Sequence, residues 1–144
     1  MPTLEERFAR ALHASARGWR LTLDRRLKDL GLSQAAWMTI ALVAKAPAHP
    51  SQAWLAERLG VEGATVVAML DRLERAGHLK RTPCPDDRRV KRISLTRSGR
   101  TLYEKVRVQA DAVRRELLAG EERAALVAAT ALLERLQAAT GMVE

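Results

Sequence analysis

The stretch that decides the fold covers residues 51–96 and reads SQAWLAERLGVEGATVVAMLDRLERAGHLKRTPCPDDRRVKRISLT. Its first half contains two runs of apolar residues at helical spacing, and Gly60 separates them. Ser51 is a favourable N-cap for a helix over residues 52–59, and a second helix is predicted over residues 63–76. Two short helices joined by a tight turn that contains glycine are typical of a helix-turn-helix.

The second half of the stretch predicts a two-stranded hairpin with a basic tip. One strand is predicted over residues 79–82, with Leu79 and Arg81 on one side. The other is predicted over residues 91–95, with Ile93 and Leu95 facing inward, and the turn-rich segment 83–89 separates the two. Residues 78–100 carry eight Lys or Arg residues and two Asp residues, so six of the chain's eight net positive charges lie there. Beside a helix-turn-helix, this charge indicates contact with a phosphate backbone. The alternative is a solvated basic hairpin that resists edge-to-edge aggregation.

The segments on either side of this stretch are predicted to be helical. Apolar residues at steps of three and four predict a long first helix that Gly31 closes, and Ser33 caps a second helix. Thr96 caps a fifth helix, and a sixth follows Gly120. The apolar stripes of the two end segments have little partner surface in one small monomer, which indicates an interface.

Composition and motifs exclude several classes of protein. The 144 residues suit one compact domain with an extra element, and the net charge of +8 favours nucleic acid first and an anionic membrane surface second. One cysteine and three scattered histidines form no disulfide or recognisable metal site, and no phosphate-binding glycine loop or nucleophile motif is present. We therefore expect no enzyme, no cofactor and no metal. Without a signal peptide or an apolar run of about 20 residues, we expect a cytoplasmic, nucleoid-associated protein and no membrane partner.

The sequence resembles the MarR family of winged-helix transcription regulators, and within it the SlyA-like branch. The resemblance is carried by residues 55–61 (LAERLGV), 70–79 (LDRLERAGHL) and 86–96 (DDRRVKRISLT), and by Gly99. Residues 19–28 (WRLTLDRRLK) also look SlyA-like. The resemblance covers nearly the whole chain and keeps the order of its elements.

The resemblance implies a mainly α fold with a small β-wing: a winged helix-turn-helix over residues 33–96, plus a helical dimerisation region from residues 1–32 and 97–144. It also implies a homodimer that binds double-stranded DNA at near-palindromic operators, with half-sites about one helical turn apart. A recognition helix would enter the major groove and the wing the minor groove. The alternative is an architectural or counter-silencing DNA-binding protein with low sequence specificity and no ligand.

In the recognition helix, the positions nearest the bases are Gly63, Ala64, Thr65 and Ala68. Thr65 can bond a base edge or a phosphate, or it can act as a helix-capping hydroxyl. SlyA-like proteins often carry Arg where this chain has Ala68. Bidentate recognition of guanine from that position is therefore lost, and the preference for a site should depend on DNA shape and on the wing.

In the wing, the resemblance makes Arg89 the side chain inserted into the minor groove and Arg88 a phosphate contact. Asp87 would hold a guanidinium by bidentate pairing. The alternative is an ordinary turn with a surface ion pair. Generic phosphate candidates are Ser51, Gln52, Arg72, Arg75, Lys80, Arg81, Lys91 and Arg92. We expect several of them to be solvated or paired with Asp71 and Glu74.

Many members of the family bind aromatic carboxylates, such as salicylate, between the dimerisation region and the winged helix. A cation beside aromatic residues suits such a ligand, and Arg17, Trp19, Trp37 and Met69 are the candidates here. Two of these residues have a structural alternative, because Trp37 can form a hydrophobic staple with Leu32 and Trp19 continues an apolar stripe.

Cys84 lies in the predicted wing tip. Its proximity in sequence to Arg88 and Arg89 predicts that their charges lower the pKa of its thiol, which would suit a redox switch. The alternative is an unreactive turn residue.

Overall fold

The computed structural model describes residues 1–142, and in this part of the chain it contains six helices and one two-stranded sheet. The elements, in chain order, are α1 (Leu4–Lys28), α2 (Gln34–Lys45), α3 (Gln52–Leu59), α4 (Gly63–Arg75), β1 (Leu79–Pro83), β2 (Lys91–Leu95), α5 (Arg97–Leu118) and α6 (Arg123–Ala139). The predicted fold class, mainly α with a small β-wing, is confirmed. None of the helices within residues 1–142 has the length and apolar character that a membrane span needs.

The first helix ends earlier than the sequence predicts. We expected it to continue to Gly31, but α1 ends at Lys28 with Asp29 as its C-cap. The backbone N–H groups of Leu30 and Gly31 donate to carbonyl oxygens three residues back, at 3.0 and 2.9 Å, which tightens the end of the helix into turns. Gly31 adopts a left-handed φ of 73°, so it serves the turn rather than the helix.

One apolar core joins the helices to the hairpin. Its fully buried members include Leu27 from α1, Ile40 from α2, Leu55 from α3, Leu70 from α4 and Ile93 from β2. The helices α3 and α4 pack against each other, and both contact the hairpin or its flanks. This core fixes the helix-turn-helix and the wing in one arrangement.

The two strands pair antiparallel, and a third short segment joins them. Leu79 faces Leu95 and Pro83 faces Lys91. Ser51 forms an isolated antiparallel bridge with Arg92, and the backbone N–H of Ile93 donates to the Pro50 carbonyl at 2.8 Å. The start of α3 is thereby attached to the outer edge of β2.

The helix starts follow local capping chemistry. The hydroxyl of Ser33 accepts the backbone N–H of Ala36 at 3.2 Å, and the hydroxyl of Ser51 accepts that of Trp54 at 3.2 Å. These two contacts confirm the N-caps predicted for α2 and α3.

The chain divides into two compact units, residues 1–111 and 112–144. Within the second unit, α6 contains no buried residue. Its apolar side chains include Val127, Leu133 and Leu136, which are 61%, 43% and 37% exposed. Within the first unit, Leu4 and Phe8 near the start of α1 are also exposed. The apolar side chains of α6 and of the start of α1 are therefore left uncovered, whereas Val106 and Val113 in the stripe of α5 are buried.

Candidate nucleic-acid interface

The helix α4 presents a face of small side chains to solvent. Its buried face consists of Val66, Met69, Leu70 and Leu73. The four residues predicted to lie nearest the bases are all exposed on the first half of the helix: Gly63, Ala64, Thr65 and Ala68. The structure thus brings these four residues together on one accessible surface.

The structure shows no capping role for the Thr65 hydroxyl. Glu62 is the N-cap of α4, and its side chain makes no capping hydrogen bond. Its backbone carbonyl accepts the N–H groups of Thr65 and Val66 at 3.1 and 3.2 Å. Within residues 1–142 the Thr65 hydroxyl makes no hydrogen bond. It is therefore accessible to a base edge or a phosphate.

At the wing tip, Asp87 holds the Arg89 side chain. The carboxylate accepts Nε and Nη2 of Arg89 at 3.1 Å each, and it also accepts the Arg89 backbone N–H at 3.1 Å. Arg89 lowers the pKa of Asp87, while its own side chain is 91% exposed. The predicted bidentate pairing is confirmed, and it leaves Arg89 projecting from the wing. Arg88 and Lys91, on the same wing, are exposed as well.

Arg81 connects the wing to both helices of the helix-turn-helix. Its Nε donates to Glu74 at 2.7 Å, its Nη2 donates to Asp71, and its Nη1 lies 3.4 Å from the side-chain oxygen of Gln52. Hydrogen bonding to Glu74 and Asp71 raises the pKa of Arg81 despite partial burial. As expected for some of the phosphate candidates, Arg81 is paired with Asp71 and Glu74, and its side chain is 20% exposed while theirs are 37% and 42% exposed.

We expect Arg81→Lys to lower the free energy of unfolding by about 1–2 kcal/mol, because an ammonium cannot span three partners as the guanidinium fork does. Lys80→Arg, on the exposed side of the same strand, is the matched control and should stay within about 0.5 kcal/mol of the parent. Urea denaturation of both variants measures the difference. If Arg81→Lys and the parent protein had the same free energy of unfolding, these contacts would contribute nothing to the stability of the fold.

The other phosphate candidates differ in their surroundings. Arg72, Arg75 and Lys80 are exposed, whereas Ser51, Gln52 and Arg92 are half-buried beside the wing. Ser51 also caps α3, so its hydroxyl already has one partner. Within residues 1–142 no group of three or more His, Cys, Asp or Glu residues is placed to hold a metal ion.

The charged neighbour of the Cys84 thiol differs from the prediction. Its backbone N–H donates to the Val90 carbonyl at 2.8 Å, which adds one backbone hydrogen bond beyond the two strands. The side chain of Cys84 is buried at the base of the wing. The backbone N–H groups of Asp86 and Asp87, and then the guanidinium of Arg92, lower the pKa of the thiol. The lowered thiol pKa that the sequence predicts is found, but the cation that contributes to it is Arg92 and not Arg88 or Arg89.

The four predicted ligand residues are not gathered in one cavity. Arg17 is exposed and Trp19 is half-buried on α1, Trp37 is half-buried on α2, and Met69 is buried on α4. The indole Nε1 of Trp37 is buried and has no hydrogen-bond partner within the described residues. An unsatisfied buried donor costs free energy, so the Trp37 N–H is available to donate a hydrogen bond to an oxygen atom of a ligand.

A cavity of about 180 Å³ lies between α1, α2 and α4 and contains only Met69 of those four residues. Its polar lining comes from Arg20, Gln34 and Thr65. Sequence reasoning missed Arg20, although it lies one helical turn after Arg17 and so shares its face of α1.

Comparisons with known proteins agree with this architecture. The sequence model of the MarR family matches residues 30–90. The crystal structure of the transcriptional regulator PA3341 has 36% sequence identity, with 93% of this chain and 98% of that chain covered and a TM-score of 0.85. CouR from Rhodococcus jostii RHA1, solved with bound p-coumaroyl-CoA, has 23% identity over 95% of this chain and 94% of that chain, with a TM-score of 0.79. The transcriptional regulator SlyA has 21% identity over 92% and 93%, also with a TM-score of 0.79.

The helix-turn-helix and its basic wing define a DNA-binding transcription regulator and not an enzyme. The chain belongs to the MarR family, as the family match and the 36% identity to PA3341 over nearly the whole chain show. The likeness to SlyA, at 21% identity, shows the shared fold alone.

Proposed function

We propose that this protein is a dimeric regulator that binds near-palindromic operators, with α4 in the major groove and the wing in the minor groove. The observation that carries the proposal is the Asp87–Arg89 pair, which holds an exposed guanidinium at the tip of the wing. A narrow minor groove attracts such a group through its enhanced negative potential. Arg88 and Lys91 are assigned to phosphates beside it.

The face of α4 supports readout by contact with small groups and by DNA shape. Thr65 can bond a base edge, and Gly63, Ala64 and Ala68 allow close approach to bases or to a thymine methyl group. Ala68 supplies no guanidinium for guanine. Arg72 on α4, and Ser51 and Gln52 at the start of α3, complete the set of proposed backbone contacts. Placement in the SlyA-like branch rests on the motifs at residues 19–28 and 86–96.

A homodimer is supported by the apolar side chains that a single chain leaves uncovered. Most of them lie in the segments 1–32 and 97–144, which we propose as the dimerisation region, and we propose residues 33–96 as the part that binds DNA. Symmetric dimers present two recognition helices to two half-sites, so dimerisation and operator symmetry are linked.

We expect Leu133→Glu to convert the dimer to a monomer without unfolding the chain, because this side chain is 43% exposed in the protomer and a carboxylate in an apolar interface is costly. Gln137→Glu adds the same charge at an exposed polar position of α6 and should leave the dimer intact. Size-exclusion chromatography with light scattering measures both masses. A dimeric Leu133→Glu variant would contradict the assignment of α6 to the interface.

A small aromatic carboxylate such as salicylate is the proposed effector. The support is the buried, unpartnered Nε1 of Trp37. Arg17, Trp19 and Met69 stay candidates from the sequence, although a single chain does not gather them with Trp37 in one cavity. CouR, which has a similar fold and was solved with bound p-coumaroyl-CoA, shows that a protein of this fold can hold an aromatic ligand, there as a CoA thioester. Ligand binding would shift the population of dimers whose recognition helices match the groove spacing.

The second candidate function is an architectural DNA-binding protein of low specificity, which Ala68 favours because the helix lacks a guanine-reading side chain. Both functions predict phosphate contacts and a salt-dependent affinity, so a salt titration does not separate them. The two functions can be separated by fluorescence anisotropy with labelled DNA from upstream of the gene, measured with and without salicylate. A regulator should lose affinity when salicylate is added, whereas unchanged binding would contradict gating by this ligand.

A further inference from the structure

A cleft that the proposed function does not use lies between the loop joining α2 to α3 and the strand β2. It consists of two adjoining cavities of about 290 and 360 Å³, which share the loop residues 46–49 and the side chain of Arg92 as a wall. We call it the wing-base cleft. The sizes of both cavities suit a small organic molecule.

The smaller cavity of the wing-base cleft is cationic. Arg92, Arg100, His49 and Ser94 line it, and no Asp or Glu lines either cavity. Arg100 makes no ion pair with any carboxylate within residues 1–142. A guanidinium that is not neutralised by the protein and that borders a concave surface is suited to a carboxylate or phosphate.

The larger cavity is mostly apolar. Trp54, Val90 and Pro50 line it, and the guanidinium of Arg58 lies 4.9 Å from the centre of the Trp54 ring. Cys84 also lines this half, and hydrogen bonds to its thiol favour the thiolate. Because the lining of this half is mostly apolar, it suits the body of a ligand, and the charged end belongs in the other half, beside Arg100.

We propose that the wing-base cleft binds a small organic anion, with its carboxylate on Arg100 and Arg92 and its apolar body against Trp54. This site is separate from the proposed ligand site at Trp37 and does not depend on it. An occupant would contact the loop before α3 and the strand β2, two elements that the Pro50–Ile93 hydrogen bond already joins. It would therefore stabilise the base of the wing.

The test is an NMR titration of the DNA-free protein with salicylate. The chain contains three tryptophans, so three indole N–H signals report on the candidate sites, and Trp54→Phe assigns the signal of Trp54. We expect the Trp54 signal to shift with saturation. Arg100→Ala should weaken this binding by at least about tenfold, the usual loss for one charged hydrogen bond. Arg97→Ala removes the same charge from the same end of α5 but lies outside the cleft, and it should change the affinity less than twofold.

Three results would overturn the proposal. Equal weakening by Arg97→Ala and Arg100→Ala would show an adventitious ion on a basic surface. Shifts of the Trp19 or Trp37 signals without Trp54 would place the ligand at the other site and leave the proposed function standing. Inorganic phosphate that binds as tightly as salicylate, and with the same dependence on Arg100, would make the cleft a phosphate contact in which Trp54 plays no part.

Discussion

Arg89→Ala is expected to reduce the affinity for an operator by about ten- to a hundredfold. The side chain is 91% exposed, so its removal leaves the protomer fold unchanged, and the whole loss belongs to the complex with DNA. The magnitude follows from the loss of about 1–3 kcal/mol that one specific contact contributes. In the free protein the pKa of Asp87, which Arg89 lowers, should rise towards that of an unpaired aspartate.

Lys91→Ala is the comparison variant for Arg89→Ala. Lys91 is also exposed on the wing, and we propose it as a phosphate contact. Its replacement by alanine should therefore lower the affinity equally for all DNA sequences and reduce the slope of log affinity against log salt concentration by about one. Arg89→Ala should instead have an effect that depends on the DNA sequence: its affinity should fall more for an operator with a narrow minor groove than for a G·C-rich duplex. Fluorescence anisotropy on both duplexes at several salt concentrations measures this. Identical effects of the two variants would contradict insertion of Arg89 into the groove.

Gly99→Ala is expected to destabilise the protein by at least about 2 kcal/mol. A Cβ at this position would lie 1.8 Å from the His78 carbonyl oxygen and 2.9 Å from its carbon, and backbone atoms cannot move aside as a flexible side chain can. The close approach is held by Thr96, whose hydroxyl accepts the N–H of Gly99 at 3.1 Å and whose own N–H donates to His78 at 3.1 Å. The start of α5 and the start of β1 are fixed together at this point.

Gly18→Ala is the matched control for Gly99→Ala. A Cβ at Gly18 meets nothing within 4 Å, and the residue lies inside α1, so alanine should stabilise the chain by up to about 1 kcal/mol. Chemical denaturation of the two variants should therefore give effects of opposite sign. A Gly99→Ala variant as stable as the parent would show that the β1–α5 junction relaxes freely.

Local signals in the sequence predicted the DNA-binding elements well. Capping serines and helical spacing depend on neighbouring residues, so the bounds of α3 and β2 followed from short stretches, whereas the pairing of Asp87 with a guanidinium came from the family resemblance. The cation beside the Cys84 thiol was misassigned because Arg92, eight residues further along the chain, comes close to it only once β1 and β2 pair. The end of α1 was misjudged because Gly31 allows several turn geometries.

The cavities could not be predicted for a different reason. The wing-base cleft combines a loop at residues 46–49 with Arg92 and Arg100, and these meet only when β2 packs beside the loop. The role of Gly99 likewise depends on the His78 carbonyl, 21 residues earlier in the chain. Spacing along the sequence carries no information about contacts of this kind.

We propose above that this winged helix recognises an operator in a sequence-specific way. The most direct measurement is the affinity of the purified dimer for DNA from upstream of its own gene and for a scrambled duplex of the same composition, at one stated salt concentration. We expect a ratio of about 10³ or more in favour of the upstream DNA. A ratio near one would contradict operator recognition at this DNA and would favour an architectural role.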